Sequence, residues 1–230
     1  MFRRCFNLQK AFLHFRFGAG PHHVKFNIEL PDILKTKASF TMELFPLEKM
    51  PHSIHLFLEQ VDHGLWDDCE FFVNSPHLLQ AGPDEKQDKM TAFEEMGLAH
   101  VDFQEYNHDY SHQQWTVGFS GRPGGPDIYI NKEDNSKVNG PNERGQYVLS
   151  EEADPCFGIV NEGRDVLNKI YSLPTSKANG GFALQKPVRI IKAEILVNAS
   201  ESREATHDLK DRHFHDNILM NLRYGSDDQT

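Results

Sequence analysis

The chain has 230 residues and a formal net charge of −10, with 24 Lys and Arg against 34 Asp and Glu. That balance excludes a nucleic-acid backbone as the main partner, because phosphate binding needs clustered cations. No apolar run approaches the ~18 residues of a membrane-spanning helix. The length suits one sizeable domain with tails.

The charge is unevenly placed. From Met1 to Ile28 the chain carries Arg3, Arg4, Lys10, Arg16 and Lys25 and no acid; Glu29 is the first. Phe and Leu alternate with these cations in "MFRRCFNLQKAFLHFRF". The pattern fits an amphipathic organelle-targeting or membrane-surface helix, and equally an ordinary amphipathic lead-in. It lacks the unbroken apolar stretch of a secretory signal. Residues 1–21 are therefore set apart as a basic segment. Cys5, Cys69 and Cys156 form neither a disulfide framework nor a zinc spacing, and they suit a reducing compartment such as the cytoplasm. A glycosylation sequon, Asn198-Ala199-Ser200, matters only in a secretory setting.

Two alternating stretches follow, "HHVKFNIELP" and "ASFTMELFP". Each reads as a half-buried strand, and the short polar link between them predicts an antiparallel hairpin. In "MPHSIHLFLEQVDHG" the period changes: Ile54, Phe57, Leu58 and Val61 share one helical face. Pro51 suits its first turn and Gly64 its exit. "DDCEFFVNSPHLLQAGP" predicts a strand, a Pro turn and a second strand. Residues 84–97, "DEKQDKMTAFEEMG", read as a charged, exposed insertion.

"QWTVGFSGRPGGPDIYIN" predicts a strand, a Gly/Pro loop and another strand, followed by a polar loop. "CFGIV" is a short strand, and "EGRDVLNKIYSLP" a helix with Val166, Leu167 and Ile170 inward. "PVRIIKAEILV" closes as a strand. Residues 199–230 read as a polar tail with a peripheral helix and fraying end. Seven or eight short strands with two well-signalled helices, and no βαβ rhythm, predict a mainly β antiparallel barrel or sandwich with a helix at each end.

The order of these elements resembles the cyclophilin family of peptidyl-prolyl isomerases. The most specific stretch is "CFGIVNEGRDVLNKI", similar to the family's "VFGKVxEGxDVVxKI". "FTMELFPLEKMPHSIHLFLEQVDHGLW" resembles its second strand and first helix, and "HLLQAGP" its "FMxQGGD" element. The likeness runs from Val24 to Val197. It implies a closed eight-stranded antiparallel barrel capped by two helices over residues 22–198, and no cofactor. The implied activity is rotation about X-Pro bonds, against a barrier of about 18–20 kcal/mol set by amide resonance. In the family an arginine on the third strand supplies much of the stabilisation. A glutamine, an asparagine and a histidine orient the peptide, and Phe, Met and Leu form a proline pocket.

Carried over position by position, the resemblance retains Gln80 and loses most of the rest. The arginine position falls on Phe72, or on Val73 after a shift of one residue. No arginine occurs between Arg16 and Arg122. The pocket Phe and Met positions become His77 and Leu78. In the following strands the family's polar and aromatic positions become Ser120, beside Phe119, then Asp127 and Tyr129. The histidine position lands near Asp154. Arg122, in the Gly/Pro loop, is either a solvated loop residue or a substitute donor reaching in beside Gln80.

Elsewhere the chemistry is thin. His207, Asp208, Asp211, His213, His215 and Asp216 cluster without a spacing that brings three to one face, so no metal is assigned. Cys69 reads as inert packing. Two functions follow from the resemblance. One is a module that binds proline-containing peptides or proteins through a degenerate groove, with Asp127 and Asp154 favouring Lys or Arg near the proline. The other is a divergent isomerase in which Arg122 and Gln80 polarise the amide and Tyr129, Leu78 and Phe72 line the pocket. A structural subunit, using residues 84–97 and the tail, is a third reading. Oligomeric state is left open.

Overall fold

A computed structural model describes residues 16–17, 20–31, 35–83, 88–141, 152–177 and 179–196. The sequence readings on residues 1–15, on the first part of the 84–97 insertion, and on Asn198 and the tail fall outside these. All described residues belong to one compact unit that ends at Leu196.

The alternating stretches form the strands expected of them. β1 (His23–Glu29) and β2 (Lys37–Leu44) make the predicted hairpin, with Phe26 opposite Phe40. β3 (Glu70–Asn74) and β4 (Leu78–Gly82) follow as an antiparallel pair. β5 (Thr116–Gly121) and β6 (Gly124–Asn131) pair in the same sense. β7 (Cys156–Glu162), the two-residue β8 (Thr175–Ser176) and the long β9 (Ala183–Leu196) complete the set. Eight strands run in the order β1-β2-β7-β5-β6-β4-β3-β9, and β9 pairs back onto β1, closing the barrel. β8 adds only to β9. The expected eight-stranded closed antiparallel barrel is present, with one short extra strand.

The helices exceed the two expected. α1 (Pro51–Asp62) and α4 (Arg164–Tyr171) are those the sequence signals. α2 (Lys89–Glu95) and the single turn α3 (Ser136–Asn139) were read as charged insertion and polar loop. Their short length and weak apolar periodicity hide them.

The interior is aromatic. Phe26 stacks on Phe40 at 5.0 Å between ring centres, and Phe57 meets Phe157 at 5.0 Å. Trp66 is fully buried and donates its indole N–H to Gln60 Oε1 at 3.1 Å, while Gln60 donates to the Leu98 carbonyl at 2.7 Å. Both ends of the buried amide thus have a partner, as a low-dielectric interior requires. The residue flanking α1 at its N-terminus is Met50, whose side chain makes no cap. Glu105 supplies one from a distance, accepting from the backbone N–H of His52 at 3.0 Å and of Ser53 at 2.7 Å. A carboxylate there also complements the helix dipole. Asn74 donates to the Tyr171 carbonyl at 3.2 Å, meeting an orphan acceptor at the end of α4.

The insertion departs most from its sequence reading. Phe93 on α2 is fully buried and packs edge-on to Trp66 at 6.0 Å. Met90 and Ala92 pack beside it, but two turns flanked by charged residues give too short a stripe to recognise. Phe93→Ala is expected to lower unfolding free energy by about 3–5 kcal/mol in urea denaturation. An exposed insertion would instead show a change within about 0.5 kcal/mol.

Candidate functional site

The outer surface of β3, β4 and β6 carries some of the residues singled out from the sequence. Side chains alternate across a strand. Ile128 and Ile130 enter the interior, so Asp127, Tyr129 and Asn131 take the outer face of β6. Leu79 and Ala81 likewise leave Leu78, Gln80 and Gly82 outward on β4. Gln80 stands opposite Tyr129, and Leu78 opposite Asn131.

On β3, Phe71 is interior and pairs with Ala81. The register slips beyond it, so that Val73 becomes the partner of Gln80 and Phe72 occupies the bulge. Both positions proposed for the family's arginine are therefore apolar. Phe72, Val73 and Leu78 are half-buried and lie outside the interior cluster.

Gln80 donates Nε2–H to Asp127 Oδ2 at 2.7 Å. Gly82 permits that approach: a Cβ there would lie 1.8 Å from Asp127 Oδ1. A second close approach seats Tyr129. A Cβ at Gly118 would come within 2.9 Å of its hydroxyl. Tyr129 is 2% exposed, so the residue at the pocket Phe position is covered by the chain itself.

The cover is a polar cluster that the sequence does not announce. Arg122 donates Nε–H to Asp154 Oδ1 at 3.0 Å and Nη2–H to the Asn139 carbonyl at 3.0 Å. The two charged side chains are only 6% and 7% exposed. Tyr129 gives its hydroxyl proton to Asp154 Oδ2 at 3.0 Å. His112, fully buried, donates Nε2–H to the Asp154 backbone carbonyl at 3.0 Å, and its Nδ1 lies 3.3 Å from the Tyr129 hydroxyl. The His112 ring stands 5.9 Å from that of Tyr129 and 6.0 Å from that of Tyr106. Gln104 bonds the Ala153 carbonyl and ties the same segment down.

The Gly/Pro loop is a tight turn, with Gly121 paired to Gly124 across Arg122 and Pro123. Three expectations change. Arg122 is neither solvated nor bonded to Gln80; its guanidinium is held by Asp154 and Asn139. Asp154 is not an acid edging a groove but the buried partner of that arginine. Phe119 lies in the barrel interior, stacked on Phe157 at 4.5 Å, because the alternation of β5 sends it inward. Ser120, next to it, is half-buried, and His77 is exposed and paired with Glu133.

The cysteines are unsuited to nucleophilic work. Burial pushes the thiols of Cys69 and Cys156 up to about 12. Among the described residues no group of three His, Cys, Asp or Glu is placed to hold a metal ion. No helix among them is long and apolar enough to cross a membrane.

His112 was missed because it is one of several histidines in an aperiodic stretch. Burial lowers its pKa to about 4, and the Arg122 charge adds to that effect. The unfolded chain, with an ordinary value near 6.5, takes up the proton first. Its contribution to stability is thus complete above about pH 6.5 and falls as pH drops toward about 4, by on the order of 3 kcal/mol. His112→Gln, which cannot titrate, should differ from the parent most at pH 7. The gap in urea-unfolding free energy is expected to narrow as pH falls to about 4.5.

The comparisons with known proteins agree with this architecture. The family model for cyclophilin type peptidyl-prolyl cis-trans isomerases matches residues 31–195. A cyclophilin type peptidyl-prolyl cis-trans isomerase of Cryptosporidium parvum superposes with a TM-score of 0.57 at 14% identity, covering 77% of this chain and 98% of that one. A second structure of that enzyme, in the presence of the dipeptide Ala-Pro, gives the same TM-score and identity, with 76% and 99% covered. A search of curated protein sequences finds no significant match. The match over most of the chain and the closed barrel place this protein in the cyclophilin type peptidyl-prolyl cis-trans isomerase family.

Proposed function

We propose that the domain binds proline-containing peptides or protein segments without appreciable isomerase activity. One observation carries this reading: apolar Phe72 and Val73 stand where the resemblance expects an arginine, while Arg122 is bound to Asp154.

Isomerisation needs a donor or charge aimed at the amide as its resonance is broken. A guanidinium already paired with a buried carboxylate offers little additional field. Freeing it would leave Asp154 buried and uncompensated, at about 3–5 kcal/mol. Removing a preorganised donor from other enzymes lowers rates by roughly 10²–10³. What remains on the outer face is an apolar strip of Phe72, Val73 and Leu78 beside the polar pair Gln80 and Asp127. Such a strip favours binding an extended apolar segment over chemistry on it.

A protease-coupled proline-peptide assay is expected to give the uncatalysed rate. In parallel, an Ala-Pro peptide should shift the amide resonances of Leu78 and Gln80. The competing isomerase reading requires a rate above background that disappears in the double variant Arg122→Met, Asp154→Asn. That variant removes both buried charges together and so limits the structural penalty. Such a loss in a folded variant would overturn the proposal.

A further inference from the structure

We propose that Lys132 is a site of covalent acylation by an acyl thioester, and that an acyl group there loosens the turn between β3 and β4.

Lys132 follows β6 and reaches across to that turn. Its Nζ donates to Asn74 Oδ1 and to the Ser75 carbonyl. It also lies 4.5 Å from the centre of the Tyr171 ring, at the end of α4. No ion pair joins it to a carboxylate among the described residues, and Glu133, next in the chain, is held by His77. The half-buried amine is thus surrounded by two neutral oxygens and a ring. Such an enclosure strips water from an ammonium without supplying a counter-charge. Burial accordingly lowers the Lys132 pKa to about 8. Tyr171 supplies no negative charge, because burial raises the pKa of its phenol and keeps it neutral.

The geometry suits the free amine. A neutral amine has two N–H bonds, two acceptors are in place for them, and the lone pair is left uncommitted. In attack on a thioester that pair forms the new C–N bond to the carbonyl carbon. The C–S bond breaks, the thiolate leaves with its electrons, and the proton shed by nitrogen passes to water. The Tyr171 hydroxyl is buried and has no hydrogen-bond partner among the described residues. It sits on the rim of the ring that Nζ covers, so an acyl carbonyl on Nζ has a donor at hand.

Acylation would undo a specific junction. The amide product carries one N–H and no charge, so it cannot serve both Asn74 and Ser75, and it loses its attraction to the ring. Asn74 depends on the same contact for its orientation: Oδ1 faces Lys132 while Nδ2–H bonds the Tyr171 carbonyl at 3.2 Å. The turn would keep two ties to the His77 carbonyl, from the Lys132 backbone N–H and from Asn135 Nδ2–H, each at 2.9 Å. The change is therefore local to Asn74 and Ser75, whose N–H closes the turn on the Leu78 carbonyl at 3.0 Å.

The test incubates the full chain with acetyl coenzyme A carrying a deuterated acetyl group, between pH 7 and 9.5, and follows each lysine by peptide mass spectrometry. A pKa near 8 raises the free-base fraction at pH 7.5 more than a hundredfold over an ordinary lysine. Lower intrinsic nucleophilicity and partial burial offset part of this, so about a tenfold faster rate than at exposed Lys169 and Lys186 is expected. The Lys132 rate should level off above about pH 8, while theirs climb on toward pH 9.5. In the acetylated chain, hydrogen exchange at the Ser75 amide should be about tenfold faster than before treatment. Lys132→Arg, which keeps the charge and cannot be acetylated in this way, should show no such acceleration on the same treatment. A Lys132 rate no greater than those of Lys169 and Lys186, or one still climbing above pH 9, overturns the inference. So does unchanged exchange at Ser75 in the acetylated chain, or equal acceleration in treated Lys132→Arg.

Discussion

Closure of the barrel by β1 on β9 is the constraint from which the rest follows. With no strand left as an open edge of the ring, every barrel strand must send alternate residues inward and outward. The inward set fills with rings: Phe26, Phe40, Phe71, Phe119 and Phe157 are all 2% exposed or less, and Phe57 of α1 joins them. Phe119 has no freedom to serve the surface once its neighbours across β6 and β7 are in place. The outward set is more varied: Tyr129 and Asn131 are covered by the chain itself, while Leu78 and Gln80 stay half-buried.

On that outer surface the buried pair of Arg122 and Asp154 reorganises the chemistry. Two charges taken out of water need each other and further partners to be tolerated. The Asn139 carbonyl and the Tyr129 hydroxyl supply them. The consequence spreads to His112, which closes over Tyr129 and is held by the Asp154 backbone. A cationic donor, an aromatic ring and a histidine are thus all present near the site, but as a cross-link between the β5–β6 turn, α3 and the entry to β7. Chemical groups that resemble catalytic equipment in a one-dimensional reading have become structural.

The remaining exposed strip is coherent in the opposite direction. Phe72 and Val73 remove a donor from one wall, while Asp127 adds an acceptor to the other and orients Gln80. Both changes reduce the ability to stabilise a developing charge on an amide oxygen.

Much of the fold was legible in the sequence, because period-two alternation and the 3.6-residue face of α1 are local properties. The hairpin of β1 and β2, α1, α4 and the β5–β6 pair follow from it, and the ordered resemblance supplied closure. So did the absence of an arginine, since no register can place one on β3 when none lies between Arg16 and Arg122. The burial of Phe93, the capping of α1 by Glu105, the choice of Val73 over Phe72 as the partner of Gln80, and the Arg122, Asp154 and His112 cluster were not legible. Each joins residues distant in sequence or depends on a one-residue register slip, and neither leaves a periodic trace. By itself, the sequence determined which side chains the site lacks. Only the tertiary structure decided what the remaining charges do, because the partner of a buried charge is chosen by proximity in space.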